Sequence, residues 1–337
     1  MQSRSSTDTP FISIVIPVFN EEASVDLLIP RLFALLHRES LHAEVICVDD
    51  GSRDETWDRL NAWRTQYPAL TLVSLSRNFG KEIAIAAGLD IAEGAAVIMM
   101  DGDLQHPPEV IADFLAQWRA GFDIAYGVRR NRDQDGLLRR KFTRAFYRLF
   151  NSVAETPITP DAGDFRLMDR KVVDAICRMR ERARFMKGIY AWVGFKSVAV
   201  EFDVAARQHG KSSFSLARLT GLAFDGILSF STAPLRVAMY AGASIALAAL
   251  LLGGFYLVRT LMLGIGVPGY ASIIVSVLAL MGFTMLQLGL MGLYLGRIYD
   301  EVKARPLYLV REIVGRTATN ELNPTPDPAI ARFKKLV

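Results

Sequence analysis

The 337-residue chain is 51% hydrophobic with a formal net charge of +4, long enough for one α/β domain and something more, since single cores stop growing near ~250 residues. Its modest charge, with no nucleic-acid-binding motif and no aromatic-studded basic stripe, excludes nucleic acid as the expected partner; basic residues gather between Arg129 and Arg148 and beside the apolar stretches, a pattern suited to phosphates and lipid headgroups. Cys47 and Cys177 are the only cysteines, and neither has a Cys or His at ligand spacing, which excludes a zinc site and reads as two reduced thiols.

The first ten residues are polar and carry no apolar h-region, so residues 1–10 read as a flexible N-terminus with neither signal peptide nor transmembrane helix. Ile12 to Val18 is an Ile- and Val-rich run that predicts a buried strand, followed by a helical pattern from Glu21 to His37. Glu44 to Val48 predicts a second strand, and Ser52 with Glu55 predicts a capping box opening a helix to about Gln66. Leu70 to Leu75 leads to a helix from Lys81 to Ala92. Ala95 to Met100 then leads across a loop to a helix starting near Pro107 or Pro108. Strands alternating with helices imply a mainly parallel sheet, in which ligands bind outside the carboxyl ends of the strands. The polar residues at those ends are Asn20 and Glu21, Asp49 and Asp50, Arg77 and Asn78, and Asp101 and Asp103.

Beyond Tyr126 a basic segment reaches a predicted helix near Arg139 to Asn151, and a loop from Asp161 to Arg166 precedes another. Ser197 to Val204 alternates as a strand exposed on one face. After a polar loop from Arg207 to Ser213, Leu216 to Leu228 places apolar residues on one helical face and is predicted to lie along a membrane surface. From Val237 to Gly296 the only charged residue is Arg259. Two spans are predicted, Leu235 to Val258 and Ala271 to Gly296, broken by Gly264, Gly266, Pro268 and Gly269. Those glycines match a dinucleotide fingerprint but lie between apolar spans, not between strand and helix, so that motif is rejected. Arg218 and Arg236 precede the spans and Arg297, Lys303, Arg305 and Arg311 follow them, which places both termini on the cytoplasmic side of the inner (plasma) membrane.

Asp101-Gly102-Asp103 follows a buried strand, where two carboxylates can share a divalent cation with a diphosphate and Gln105 can add an oxygen. Hard oxygen ligands suit Mg²⁺ or Mn²⁺. Asp133-Gln134-Asp135 has the same spacing but no strand before it, and is rejected. Asp50 is positioned to accept from a base or ribose, or else to cap a helix. Arg129, Arg130 and Arg132 follow the fifth strand and can hold phosphate oxygens, with Arg166, Arg207 and Lys211 as further candidates. Asp164 is the best-placed remaining carboxylate for acceptor positioning or proton handling, although an ionised phosphate acceptor needs no strong base. Gly292 and Gly296 are spaced for close helix packing, which favours self-association.

With these residues in hand, the chain resembles the inverting glycosyltransferase family 2, with the GT-A fold. The resemblance rests on Val15-Ile-Pro17-Val-Phe19-Asn20-Glu21-Glu22, Val48-Asp49-Asp50-Gly51-Ser52, Ser76-Arg77-Asn78-Phe79-Gly80-Lys81 and Met100-Asp101-Gly102-Asp103-Leu104-Gln105-His106-Pro107-Pro108-Glu109. It runs from Ile14 to about Gly296. Within the family it is similar to polyprenyl- and dolichyl-phosphate sugar synthases and to bacterial bactoprenol glucosyltransferases, the latter through Phe230-Ser-Thr-Ala-Pro234-Leu-Arg236.

That resemblance implies an α/β, Rossmann-like GT-A domain over residues 11–214, a juxtamembrane interface helix over 215–233, a two-helix transmembrane hairpin over 234–298 and a cytoplasmic tail over 299–337. Pro17, Phe19, Glu21, Asp50, Lys81, Asp101 and Gly102 would bind the nucleotide, and Asp101, Asp103 and Gln105 the metal. Arg129, Arg132, Arg207 and Lys211 would meet phosphates, while Asp103, Asp164 and Arg166 would serve the reaction. Where relatives read Gly-x-Ser-Lys-Tyr, this chain reads Gly210-Lys-Ser-Ser-Phe214, which moves the lysine. The implied reaction transfers glucose from UDP-glucose to undecaprenyl phosphate, with GDP-mannose, UDP-N-acetylglucosamine and a UDP-4-amino-arabinose derivative as alternative donors. A homo-oligomer such as a tetramer, and a separate downstream flippase, are also implied. A processive synthase would need a translocation channel and a Gln-x-x-Arg-Trp motif, which the sequence lacks. A nonenzymatic membrane scaffold is the reading from another class.

Overall fold

The structure is a computed structural model that describes residues 11–130, 151, 163–182, 184–203, 233–263 and 269–315. The elements follow the predicted alternation: β1 (Ile12–Val18), α1 (Glu22–Arg38), β2 (Ala43–Asp49), α2 (Thr56–Gln66), β3 (Leu70–Leu75), α3 (Lys81–Ile91), β4 (Ala96–Met99), α4 (Val110–Arg119) and β5 (Ile124–Arg129). Then come β6 (Arg166–Asp169), α5 (Arg170–Arg178), α6 (Met186–Trp192) and β7 (Ser197–Phe202). The long helices α7 (Ala233–Leu263) and α8 (Tyr270–Val302) precede β8 (Val310–Val314).

The strands form one sheet in the order β7-β5-β6-β4-β1-β2-β3-β8. Its centre is parallel, β1 pairing with β2 and β4 and β2 with β3. β6 runs antiparallel to both β4 and β5, and β8 antiparallel to β3. Every residue of β1 is buried, as expected of a strand covered on both faces. Ile14 and Ile16 pack with Leu28, Leu32, Leu60 and Phe114 of α1, α2 and α4. Val15, between them, packs with Ala84, Ile85, Val172 and Ile189 of α3, α5 and α6. This is the α/β, GT-A arrangement expected, and it puts the carboxyl ends of β4, β1, β2 and β3 in one row.

The expected capping box does not form. Ser52 Oγ accepts the Asn20 N–H at 2.9 Å, while Asp54 Oδ1 accepts the Thr56 N–H at 3.1 Å and the Thr56 hydroxyl at 2.6 Å. The loop after β1 takes the serine, and α2 starts later, at Thr56. The predicted helices at Arg139–Asn151 and 215–233 and the loop from Arg207 to Ser213 lie outside the described residues, Asn151 and Ala233 excepted.

α7 and α8 are 31 and 33 residues long. Val237–Phe255 and Ser276–Val302 are long and apolar enough to cross a membrane, and neither window is buried by protein. α8 continues past Gly296, where the second span was expected to stop. Gln287 Nε2 donates to the Ala238 carbonyl at 2.9 Å, which joins the two helices by a polar contact.

β8 was not among the predicted elements. After α8 the chain returns to the sheet and pairs with β3, with Leu72 opposite Val314 and Ser74 opposite Glu312. Ser76 N–H donates to the Leu309 carbonyl at 2.9 Å, and Tyr308 Oη donates to Asp90 Oδ2 at 2.8 Å, an oxygen that also takes Arg180 at 2.7 Å. Arg182 ties the same segment to the loop after α5 through Glu301 and the Arg305 carbonyl. The Asp90 side chain is only 10% exposed, so Tyr308→Phe is expected to lower stability by about 1–2 kcal/mol, read as an earlier denaturation midpoint in detergent.

Candidate active site

The turns after β1, β2 and β3 enclose a cleft of about 350 Å³ lined by Phe19 and Asn20, by Gly51, Ser52 and Arg53, and by Ser76, Arg77 and Asn78, with Arg311 of β8 at its far side. Gly51 has φ +71°, and a Cβ there would sit 2.7 Å from the Arg77 carbonyl carbon. Glycine is what lets these two turns close on each other. Asn20, at φ 54°, is also left-handed, and its Oδ1 accepts the Arg53 N–H at 2.9 Å.

Asp50, 3% exposed, lies beneath this cleft. Its two carboxylate oxygens accept the Phe79 N–H at 2.7 Å and the Gly80 N–H at 2.8 Å. Burial pushes its pKa above the ordinary aspartate value, against the pull of those two donors. The carboxylate therefore shapes the β3–α3 turn that walls the cleft and starts α3 at Lys81.

The acidic loop follows β4. Gly102 is buried where a Cβ would lie 2.9 Å from Val18 Cγ1, so the loop sits flush on the end of β1. Asp101 N–H donates to His106 Nδ1 at 3.2 Å, and the His106 ring stacks on Phe165 at 4.7 Å. Burial holds the His106 pKa down, opposing the nearby carboxylates, and keeps Nδ1 an acceptor. Asp103 Oδ1 accepts the Gln105 N–H at 3.1 Å. Between them Leu104 turns through φ 61°, a conformation costing about 1 kcal/mol for a residue with a Cβ. Gln105 Oε1 accepts from Arg129 Nη2 at 3.1 Å, bringing the fifth strand's arginine to the loop.

Lys81 links this loop to Asp164. Its ammonium lies 2.7 Å from Asp101 Oδ1 and 2.8 Å from Asp164 Oδ2. Burial opposes the lysine charge, but the two carboxylates outweigh it and hold the ammonium above its ordinary range. For Asp164 burial likewise works against the charge, yet Lys81, Lys187 and Arg166 bring its pKa down to about 2. At neutral pH it is a fixed anion, suited to positioning and not to taking a proton. Arg166 is 3% exposed; its Nη2 donates to the Gly163 carbonyl at 2.5 Å and its guanidinium lies 3.5 Å from the Tyr190 ring centroid. Asp164 Oδ1, Arg166 Nε and Tyr190 Oη are buried with no hydrogen-bond partner among the described residues.

Glu82 borders the same network, its Oε2 accepting the Met186 N–H at 3.2 Å. Burial, then the Asp164 charge, push its pKa up from 4.5 to about 7. A folded pKa above the unfolded one means stability that is full below about pH 4.5 and lost as pH rises through about 7. Glu82→Gln keeps the acceptor and removes the charge. It is expected to exceed wild type by about 2 kcal/mol at pH 8 and to match it near pH 4 in denaturation curves.

The donor chemistry fits a divalent cation of the hard class. Asp101 already holds a cationic group, and two carboxylates with an amide are the share that protein supplies when phosphates and water complete the shell. No group of three or more His, Cys, Asp or Glu side chains suited to a metal occurs among the described residues, so a cage made wholly of protein is not what this loop offers. Cys47 and Cys177 are free thiols, both pushed up to about 12 by burial.

Of the residues singled out from sequence, Asp101, Asp103, Gln105, Lys81, Arg129, Asp164 and Arg166 form one connected cluster through the contacts above. Phe19 lines the cleft, while Pro17 is buried behind it and Glu21 hydrogen-bonds Thr56 and Ser24 at the start of α1. Arg130 turns away to Glu201 and Asp203. Arg132, Arg207 and Lys211 lie outside the described residues. His106, Glu82, Tyr190 and Arg311 were not singled out. The only sequence signal for His106 was its place in the acidic motif, and Glu82 was visible as the neighbour of Lys81.

Residues 13–177 match the family model described as Glycosyl transferase family 2. The chain is 46% identical over 304 residues to an uncharacterized glycosyltransferase of Synechocystis sp., covering 90% of this chain and 96% of that one. It is 42% identical over 302 residues to the prophage bactoprenol glucosyl transferase homolog of Escherichia coli, covering 90% and 99%. It is 43% identical over 300 residues to the bactoprenol glucosyl transferase of Shigella phage SfV, covering 89% and 98%.

Proposed function

The chain belongs to glycosyl transferase family 2, and we propose that it transfers glucose from UDP-glucose to a polyprenyl phosphate, undecaprenyl phosphate in a bacterial membrane, with inversion at the anomeric carbon. The observation that carries this reading is the continuity of the site. One turn, Ser76 to Lys81, borders the nucleotide-sized cleft at Ser76–Asn78 and delivers Lys81 to the acidic loop at Asp101.

On this reading the nucleoside lies in the cleft beside Phe19 and the diphosphate reaches Asp101, Asp103 and Gln105. Mg²⁺ or Mn²⁺ bound there supplies positive charge to the departing diphosphate. A lipid phosphate oxygen forms the new bond to the anomeric carbon as the bond to UDP breaks, the electron pair leaving with UDP. The lipid phosphate arrives ionised, which fits an Asp164 too acidic to act as base at neutral pH. Asp164 instead holds the Lys81 ammonium beside Asp101, where its charge faces the diphosphate, and Arg129 stands beside the loop for the same purpose. Arg132, Arg207 and Lys211 are the further phosphate contacts we assign from sequence.

α7 and α8 then form a hairpin through the membrane. β7 precedes it and β8 follows it in one sheet, which supports both ends of the hairpin lying on one side, the cytoplasmic side by the distribution of basic residues. An enzyme held in the plane of its lipid acceptor meets it more often. Among the described residues, nothing beyond their own helix lies within 4 Å of the Cβ positions of Gly292 and Gly296, open faces that support a homo-oligomer. The lipid-linked sugar, made on the inner face, requires a separate flippase.

The test is a donor panel. Purified protein in detergent is given undecaprenyl phosphate and labelled UDP-glucose, GDP-mannose, UDP-N-acetylglucosamine or the UDP-4-amino-arabinose derivative. Label entering lipid from UDP-glucose supports the reading, label from another donor alone reassigns the sugar, and label from none contradicts the reaction.

A further inference from the structure

We infer that Arg311, delivered by the strand that follows the membrane hairpin, recognises a carbonyl of the donor's nucleobase and so sets nucleotide choice. The inference rests on the nucleotide-donor reading above and extends it to a residue outside the segment that the family model matches, which ends at residue 177.

β8 adds to the free edge of β3 and carries the Arg311 side chain to the carboxyl end of that strand, where Nη2 donates to the Ser76 carbonyl at 3.2 Å. That bond anchors one end of the guanidinium at the cleft and uses one of its five N–H groups. The side chain is exposed and forms the wall of the cleft furthest along the strand row from the acidic loop. With neighbouring strands about 4.8 Å apart, four steps separate β4, which carries Asp101, from β8. A nucleotide whose diphosphate is held at Asp101 and Asp103 therefore points its base, not its phosphates, towards Arg311. Phe19, 40% exposed, supplies an aromatic face in the same cleft for the base to lie on.

A guanidinium donates and never accepts. It matches the edge carbonyl of uracil or guanine and opposes the exocyclic amino group that adenine presents at the corresponding edge. The strand is held in place independently of Arg311 by its pairing with β3, by Tyr308 on Asp90 and by Arg182 on Glu301 and the Arg305 carbonyl. Removing the guanidinium therefore leaves the cleft wall standing.

The experiment is titration calorimetry of the full-length protein in detergent with UDP, GDP and ADP in the presence of Mn²⁺, for wild type, Arg311→Ala and Arg311→Gln. Wild type is expected to bind UDP or GDP and to discriminate against ADP. Arg311→Ala is expected to weaken the preferred nucleotide about tenfold and ADP little. Arg311→Gln, whose amide both donates and accepts, is expected to narrow the gap to ADP. In transfer assays the donor KM of Arg311→Ala rises by a similar factor with kcat and the lipid KM unchanged. Equal affinity in wild type and Arg311→Ala overturns the inference, and so does an equal loss for all three nucleotides with a lowered thermal midpoint, which marks a structural role. Wild type binding none of the three is a different failure, that of the nucleotide-donor reading itself.

Discussion

Asp103→Ala is expected to cut sugar transfer about 10³-fold, with the thermal midpoint within a few degrees of wild type. Asp103 accepts the Gln105 N–H within its own loop, and the loop is also held from elsewhere. Gly102 seats it on Val18, and His106 takes the Asp101 N–H. Removing the Asp103 carboxylate therefore takes away the ligand we propose for the cation without unseating Asp101. Steady-state transfer with varied Mn²⁺ separates the outcomes: loss of kcat with a raised metal requirement fits a metal ligand. Unchanged rates would mean that the loop is only a solvated turn. Asp101→Ala is a less clean test, because it also frees the Lys81 ammonium to rest wholly on Asp164.

Asp50→Ala carries the second large effect, and on stability as well as binding. Both oxygens of this buried side chain satisfy backbone donors, Phe79 and Gly80. Alanine leaves two N–H groups unpaired at a cost of about 3 kcal/mol in all, measurable as a denaturation shift in detergent. The turn that loosens carries Arg77 and Asn78 of the cleft and leads to Lys81. Donor KM is expected to rise for every nucleotide alike. A change in preference among bases, with stability intact, would show instead that Asp50 touches the nucleoside directly.

Much of the fold was legible because its central strands β1 to β4 are short, apolar and largely buried, and because each is followed by a helical period. The limits of β1 and β3 match the predicted runs. Both long apolar helices were visible from the absence of charge. The carboxyl ends of β4, β1, β2 and β3 also lie in one row, as their parallel pairing requires.

What escaped notice did so for physical reasons. β8 is five residues long and holds two charges, Val-Arg-Glu-Ile-Val. Its strand state comes from pairing with the open edge of β3, a partner over two hundred residues earlier in the chain, and no local pattern announces it. The capping box failed because Ser52 is drawn to the β1 turn, a long-range competitor for a local cap. Asp50 was read either as a ligand group or as a helix cap; that its carboxylate takes the Phe79 and Gly80 N–H groups was not visible, because those donors lie about thirty residues on, in the next turn. Glu82 read as an ordinary residue of the helix from Lys81 and Tyr190 was assigned to no element; only the fold, which bonds the Met186 N–H of α6 to Glu82 of α3, brings them to Asp164.

The most direct test of the account is the anomeric configuration of the lipid product formed from UDP-glucose and undecaprenyl phosphate, determined by NMR after extraction. The account predicts a β-glucosyl phosphate, inverted from the α-linked donor and formed only when a divalent cation is present. An α-linked product, or UDP-glucose consumed without sugar reaching the lipid phosphate, would contradict it.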